Sequence, residues 1–209
     1  MSKRVFDIVF SLVTLCILSP LLVFIAVAIK CASNGAVFYK GLRAGRWGAP
    51  FRILKFRTMV PNAELLGGAS TPDDDPRVTR VGRILRKHKL DELPQLFNVL
   101  KGDMSLVGPR PEVISEVELY TPRERELLSL RPGMTDWASI KFRNEGEILK
   151  GYLEPHETYR EKIRPEKIRL GLRYAEKHSF LVDMHILFAT AKVLVWSHSD
   201  GTHLESRTN

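Results

Sequence analysis

From Val5 to Ile29 the chain is almost wholly apolar, interrupted by Asp7, Ser11, Thr14 and the pair Ser19-Pro20. At about 1.5 Å per residue, a helix of roughly 25 residues reaches across the hydrocarbon core of a bilayer. The run is too long for a secretory signal peptide, and no small-residue cleavage site follows it cleanly. Pro20 has no amide to donate to the carbonyl of Cys16, and its ring crowds that turn. A kink is therefore expected, with Ser19 placed to satisfy the freed carbonyl. Lys3 and Arg4 precede the run, and Lys30, Lys40, Arg43 and Arg46 follow it. Basic flanks draw both ends toward the cytoplasmic face. Two arrangements fit: a helix that enters, bends at Ser19-Pro20 and returns to the same side, or a kinked helix that crosses once.

The 209 residues suit one domain with a membrane anchor. A net charge of +8 calls for acidic partners: nucleic acid, anionic lipid head groups or phosphorylated small molecules. Cys16 and Cys31, both in or beside the apolar run, form no CxxC pair and suggest neither a disulfide framework nor a zinc site. Scattered histidines (His88, His156, His178, His185, His198, His203) show no ligand spacing and are read as structural or solvated.

Beyond the run, Ala36–Tyr39 and Phe51–Phe56 predict a small β-hairpin across a Gly-rich stretch. Pro61 to Pro76 is turn-rich and predicts a loop, with Asp73–Asp75 forming a turn before Pro76. Val78, Val81, Ile84 and Leu85 then form an apolar stripe beside a basic one of Arg77, Arg80, Arg83, Arg86 and Lys87. A basic amphipathic helix suits a membrane surface or a phosphate site, whereas a merely solvated face would mix signs. Leu90, Leu93, Leu96, Phe97 and Leu100 continue a helical spacing that Gly102 ends, with Pro94 in the first turn. Thr121–Leu130 and Pro165–Lys177 predict surface helices. Phe180–Trp196 predicts an amphipathic helix on the membrane face or in the core.

Asp91 and Glu92 fall at a helix start, where exposed amides favour ionised carboxylates. An ionised aspartate near Mg²⁺ and a pyrophosphate can attack phosphorus and form an acyl phosphate. The metal and nearby arginines then offset the charge. The plainer reading of an Asp-Glu pair is a helix cap, and Pro109-Arg110-Pro111 taken alone is a rigid turn displaying an arginine.

Longer strings narrow the choice. Asp74-Asp75-Pro76-Arg77-Val78-Thr79-Arg80-Val81-Gly82, Leu90 through Leu100, and Gly102-Asp103-Met104-Ser105-Leu106-Val107-Gly108-Pro109-Arg110-Pro111 closely resemble the bacterial sugar transferase family, the monotopic phosphoglycosyl transferases. Lys55-Phe56-Arg57-Thr58-Met59, Arg131-Pro132-Gly133-Met134-Thr135 and Lys3-Arg4-Val5-Phe6-Asp7 also match, in the expected order across nearly the whole chain. The resemblance implies a mainly α fold with a small β-hairpin. Residues 1–32 would form a re-entrant membrane helix broken at Ser19-Pro20. Residues 33–209 would form a cytosolic-face catalytic domain with amphipathic interface helices.

The resemblance further implies transfer of sugar-1-phosphate from a UDP-sugar to polyprenyl (undecaprenyl) phosphate, with release of UMP through a covalent aspartyl intermediate. Asp91 matches the nucleophile and Glu92 the second member of the dyad, with Mg²⁺ held by both. Arg86, Arg110, Lys55, Arg57 and Arg143 match positions at the substrate phosphates. The implied setting is the cytosolic face of a bacterial inner membrane among its lipids, without nucleic acid, and is compatible with a homodimer. One departure stands out: Asp136-Trp137-Ala138 replaces the family's common Gly-Trp-Ala, and Ser139 to Asn144 is a variant continuation, which leaves the sugar open. The competing readings are a membrane-anchored basic protein that binds nucleic acid or lipid without catalysis, and a scaffold in which the acid pair only caps a helix.

Overall fold

A computed structural model of the chain describes residues 2–196, apart from 64, 65, 67 and 69. Helix α1 spans Ser2–Ala32 with Pro20 inside it. The Ser19 hydroxyl donates to the Cys16 carbonyl at 2.9 Å, the acceptor that Pro20 leaves without its amide. Among the described residues α1 is the one helix long and apolar enough to cross a membrane. Much of its surface is bare: Ile17 and Phe24 are each 70% exposed.

Strands β1 (Phe38–Ala44) and β2 (Pro50–Phe56) pair antiparallel, with Phe38 opposite Phe56 and Ala44 opposite Pro50. The hairpin is therefore longer than its aromatic runs suggest. Gly41 lies inside β1, and Trp47 turns the chain in a left-handed conformation (φ 60°). Beyond the loop, Thr79 caps helix α2 (Arg80–Lys87) by accepting from the Gly82 amide at 2.9 Å. Gly82 carries no side chain because a Cβ would strike the Thr58 backbone, so α2 can lie directly on the end of the hairpin.

Helix α3 (Gln95–Lys101) ends at Gly102, whose φ of 98° admits glycine readily. Strands β3 (Ser105–Val107) and β4 (Gly133–Thr135) form a short parallel pair. Gly108 and Gly133 approach each other backbone to backbone, which accounts physically for a glycine in both motif strings. Between them lies α4 (Ile114–Glu118). The helix expected over Thr121–Leu130 is a 3₁₀ segment, Glu124–Ser129. Thr121 and Glu124 bond each other's amides there, so the chain winds tightly after its cap. Short helices α5 (Trp137–Lys141), α6 (Glu145–Ile148) and α7 (Pro155–Thr158) follow, then α8 (Arg164–Lys177) and α9 (Phe180–Trp196).

The main core gathers Leu15 of α1, Ile53, Leu96, Val99, Met104, Leu106, Val107, Tyr174 and Ile186. A second cluster joins Ile25 and Ile29 of α1 to Phe56 and Leu85. Both halves of α1 thus rest on the same body. Polar ties reinforce its N-terminal half. Lys3 pairs with buried Asp183 and donates to the Val107 carbonyl; Arg4 donates to the Val99 and Leu100 carbonyls; buried Asp7 accepts from the Ser105 hydroxyl. Phe97 and Ile84, expected on apolar stripes, are 47% and 59% exposed, whereas Leu96 and Leu85 of the same stripes are buried, with Val99 joining Leu96 on the inner face of α3.

Candidate active site

Asp91 and Glu92 lie in a single 3₁₀ turn, Leu90–Glu92, just before α3. Lys89 starts that turn in a left-handed conformation (φ 55°), which swings the chain from α2 into the acid pair. β2 supplies Lys55, whose ammonium lies 3.0 Å from Glu92 Oε1. The rigid Pro109-Arg110-Pro111 turn brings Arg110 to the same oxygen, while its Nη1 donates to the Met134 carbonyl at 2.7 Å. Arg86, facing inward from α2, is held by its Nε to the Thr58 hydroxyl at 3.0 Å.

The two neighbouring carboxylates meet different fates. Burial disfavours charge on Glu92, but Arg110, Lys55 and Lys89 outweigh it and hold the carboxyl well below its usual range. Asp91 is only 7% exposed, and its Oδ1 has no hydrogen-bond partner among the described residues. Burial pushes the Asp91 carboxyl up; Lys55 opposes this, and the neighbouring Glu92 charge adds to it. Glu92 is thus easily ionised through its neighbouring cations and not through helix-start amides, whereas at Asp91 desolvation exceeds the pull of the nearby cations. Burial also lowers Arg86, opposed by Asp91, Asp75 and Asp73, and Lys89, opposed by Glu92 and Asp91, whereas Arg110 is raised because Glu92 outweighs its burial.

The acid pair, Lys55, Arg86, Lys89 and Arg110 open onto one cleft of about 1790 Å³. The structure therefore brings together Asp91, Glu92, Lys55, Arg86 and Arg110. Arg57 and Arg143 also line the cleft, but their guanidinium groups are engaged elsewhere. Arg57 donates to the Asn34 and Ser33 carbonyls, and Arg143 to the Val193 carbonyl of α9. Lys89 and Thr58 are additions that sequence reasoning passed over. The signal for Lys89 was its place directly before Leu90-Asp91 at the end of a basic stripe. Asp136, the departure from the family pattern, caps α5 by accepting from the Ser139 amide at 2.7 Å, and its charge helps keep Arg110 protonated.

Among the described residues no group of three or more His, Cys, Asp or Glu side chains is arranged to hold a metal. Mg²⁺ asks for less: one or two carboxylates, with substrate phosphates and water completing its shell. The buried, unbonded Oδ1 of Asp91, beside a Glu92 whose cation contacts both fall on Oε1, fits that lighter demand. Chemically the site offers a largely buried carboxylate at the cleft wall next to several fixed cations, which suits attack on a phosphorus centre.

The family model of the bacterial sugar transferases matches residues 1–197. A sugar transferase of Bacillus subtilis, EpsL, is 38% identical over 92% of this chain and 87% of its own length. The UDP-glucose:undecaprenyl-phosphate glucose-1-phosphate transferase of Caulobacter vibrioides is 39% identical over 92% of this chain and 69% of its own. The UDP-N-acetylgalactosamine-undecaprenyl-phosphate N-acetylgalactosaminephosphotransferase of Aeromonas hydrophila is 38% identical over 92% of this chain, which spans 43% of that longer relative. The acid pair among its cations and the match along almost the full chain agree: this protein belongs to the bacterial sugar transferase family.

Proposed function

We propose that this protein transfers a sugar-1-phosphate from a UDP-sugar to undecaprenyl phosphate, or a closely similar polyprenyl phosphate, at a bacterial inner membrane. The observation that carries this reading is the divided acid pair: Glu92 neutralised by Lys55 and Arg110, and Asp91 buried with an oxygen left unbonded. Relatives named for undecaprenyl-phosphate transfer of glucose and N-acetylgalactosamine phosphates support the substrate classes.

In the first half-reaction a carboxylate oxygen of Asp91 attacks the phosphorus that bears the sugar. A bond forms between that oxygen and phosphorus, the bond to the bridging pyrophosphate oxygen breaks, and UMP leaves with the electron pair. In the second, the terminal oxygen of the polyprenyl phosphate attacks the same phosphorus and the Asp91 carboxylate departs. Arg86 and Arg110 hold the equatorial oxygens, and Lys55 and Lys89 offset charge on the leaving phosphate. Glu92 keeps Lys55 and Arg110 in place. Mg²⁺, held by Asp91 and Glu92, would neutralise the pyrophosphate and ease the approach of an anionic nucleophile.

The same reading makes α1 re-entrant, with both ends on the cytosolic face. Lys3, Arg4 and Asp7 tie its beginning to the catalytic body, and Ile25 and Ile29 tie its end to the same body. A single crossing would carry those ends to opposite sides of the bilayer. Basic residues at both flanks agree with a cytosolic position for each. Incubating the protein with a panel of UDP-sugars, undecaprenyl phosphate and Mg²⁺ is expected to release UMP with at least one donor. Asp91→Asn and chelation of the metal should each stop it. UMP release that survives both would reject the reading.

A further inference from the structure

The cleft that holds Asp91 does not end at the cations. One of its walls is built from the apolar helices: Phe10 and Thr14 of α1, Leu106 of β3, and Leu187, Ala191 and Leu194 of α9. Phosphate chemistry has no use for such a wall, and a nucleotide-sugar has no long apolar part to place on it. Yet the outer faces of the same two helices are bare hydrocarbon, with Leu12 and Ile17 of α1 and Leu181 and Phe188 of α9 more than half exposed. One cleft is thus lined both by apolar side chains of α1 and α9 and by the carboxylate at position 91, on helices whose other faces are apolar and exposed.

We propose that α1 and α9 form a portal for the prenyl chain of the lipid-phosphate acceptor, with its first isoprene units seated on Phe10, Thr14, Leu187, Ala191 and Leu194. The proposal rests on the reaction above and adds the acceptor's path. The wall is held in position from within. Thr190 of α9 shares a hydrogen bond of 2.7 Å with Thr135 of β4, next to Met134, whose carbonyl fixes Arg110. Arg143 bonds the Val193 carbonyl near the far end of α9. Arg143 is thus a positioning residue for the lipid wall. β4 links that wall to the phosphate site, so the prenyl chain and the phosphate it carries are set relative to one another. The apolar contact supplies affinity roughly in proportion to the hydrocarbon covered.

The two half-reactions separate this idea from the one beneath it. Donor chemistry, followed as UMP released by the protein in detergent without acceptor, uses none of these residues. Ala191→Trp fills the wall and is expected to leave that release within about twofold of the unaltered protein while raising KM for undecaprenyl phosphate at least about tenfold. Leu187→Ser, a smaller change, should move KM the same way by a few-fold and carries the test if the tryptophan disturbs folding. Arg143→Ala is expected to weaken acceptor use more than donor use. An unchanged acceptor KM in Ala191→Trp and Leu187→Ser, with donor chemistry intact, overturns the portal. A failure of the unaltered protein to release UMP without acceptor would instead sink the two-step reaction, and the portal would then stand or fall on acceptor KM in the complete reaction.

Discussion

Asp91 and Glu92 differ by one methylene and one position, yet their surroundings divide their labour. A carboxyl raised by burial is less stable charged in the fold than in the unfolded chain. Its stabilising contribution is present at low pH and is lost as pH rises through the folded value. Asp91→Asn is therefore expected to abolish turnover and also to raise the midpoint of thermal unfolding at neutral pH, by roughly 2–4 °C per kcal/mol relieved. Differential scanning fluorimetry at neutral and acid pH checks this: the gain should shrink as pH falls below the range where Asp91 ionises. The same raised value places the acid limb of kcat/KM above that of an ordinary aspartate, near 3.9. Glu92 carries the opposite sign. Its stabilisation is present above the usual glutamate range and is lost only as pH falls through a depressed folded value. Glu92→Gln leaves Lys55 and Arg110 without their shared carboxylate; a loss of about 1–3 kcal/mol in stability and about 100-fold in kcat is expected, measured by unfolding and by UMP release.

At the scale of elements, periodicity located what local physics controls. The apolar run Phe180–Trp196 is α9 itself, and the string Arg80–Lys87 is a helix because Thr79 caps it and Gly82 allows its close approach. Thr121–Leu130 misled because its helical spacing is shared by a 3₁₀ segment closed by its own capping pair. The ties between distant elements were not legible. Nothing near Lys3 announces Asp183, and nothing near Arg143 announces the Val193 carbonyl, since both partnerships depend on how α1 and α9 meet β3 and β4. These ties bear on the topology of α1. In the re-entrant reading Pro20→Ala is expected to straighten the helix, while Lys3 still anchors its start. The double variant Pro20→Ala with Asp183→Ala is expected to let the N-terminus cross the bilayer in part of the population, read by reporter fusions at both ends. Unaltered sidedness would remove Pro20 and Asp183 as the cause of re-entry.

Across the whole molecule, three chemistries meet at one cleft: cations from β2, α2 and the Pro109-Arg110-Pro111 turn, a carboxylate with one oxygen unbonded, and apolar helix faces. The motif strings revealed the first two because their residues stand close together in sequence. The third was hidden, since an apolar face looks the same whether it packs on protein, lipid or substrate. In the proposed reaction the Asp91 carboxylate becomes bonded to phosphorus. The most direct measurement is mass spectrometry of protein quenched after mixing with a UDP-sugar and Mg²⁺ in the absence of acceptor. A sugar-phosphate adduct is expected on the peptide containing Asp91, missing in Asp91→Asn and discharged when undecaprenyl phosphate is added. Stoichiometric UMP with no adduct on that peptide, or lipid-linked product from the asparagine variant, would contradict it.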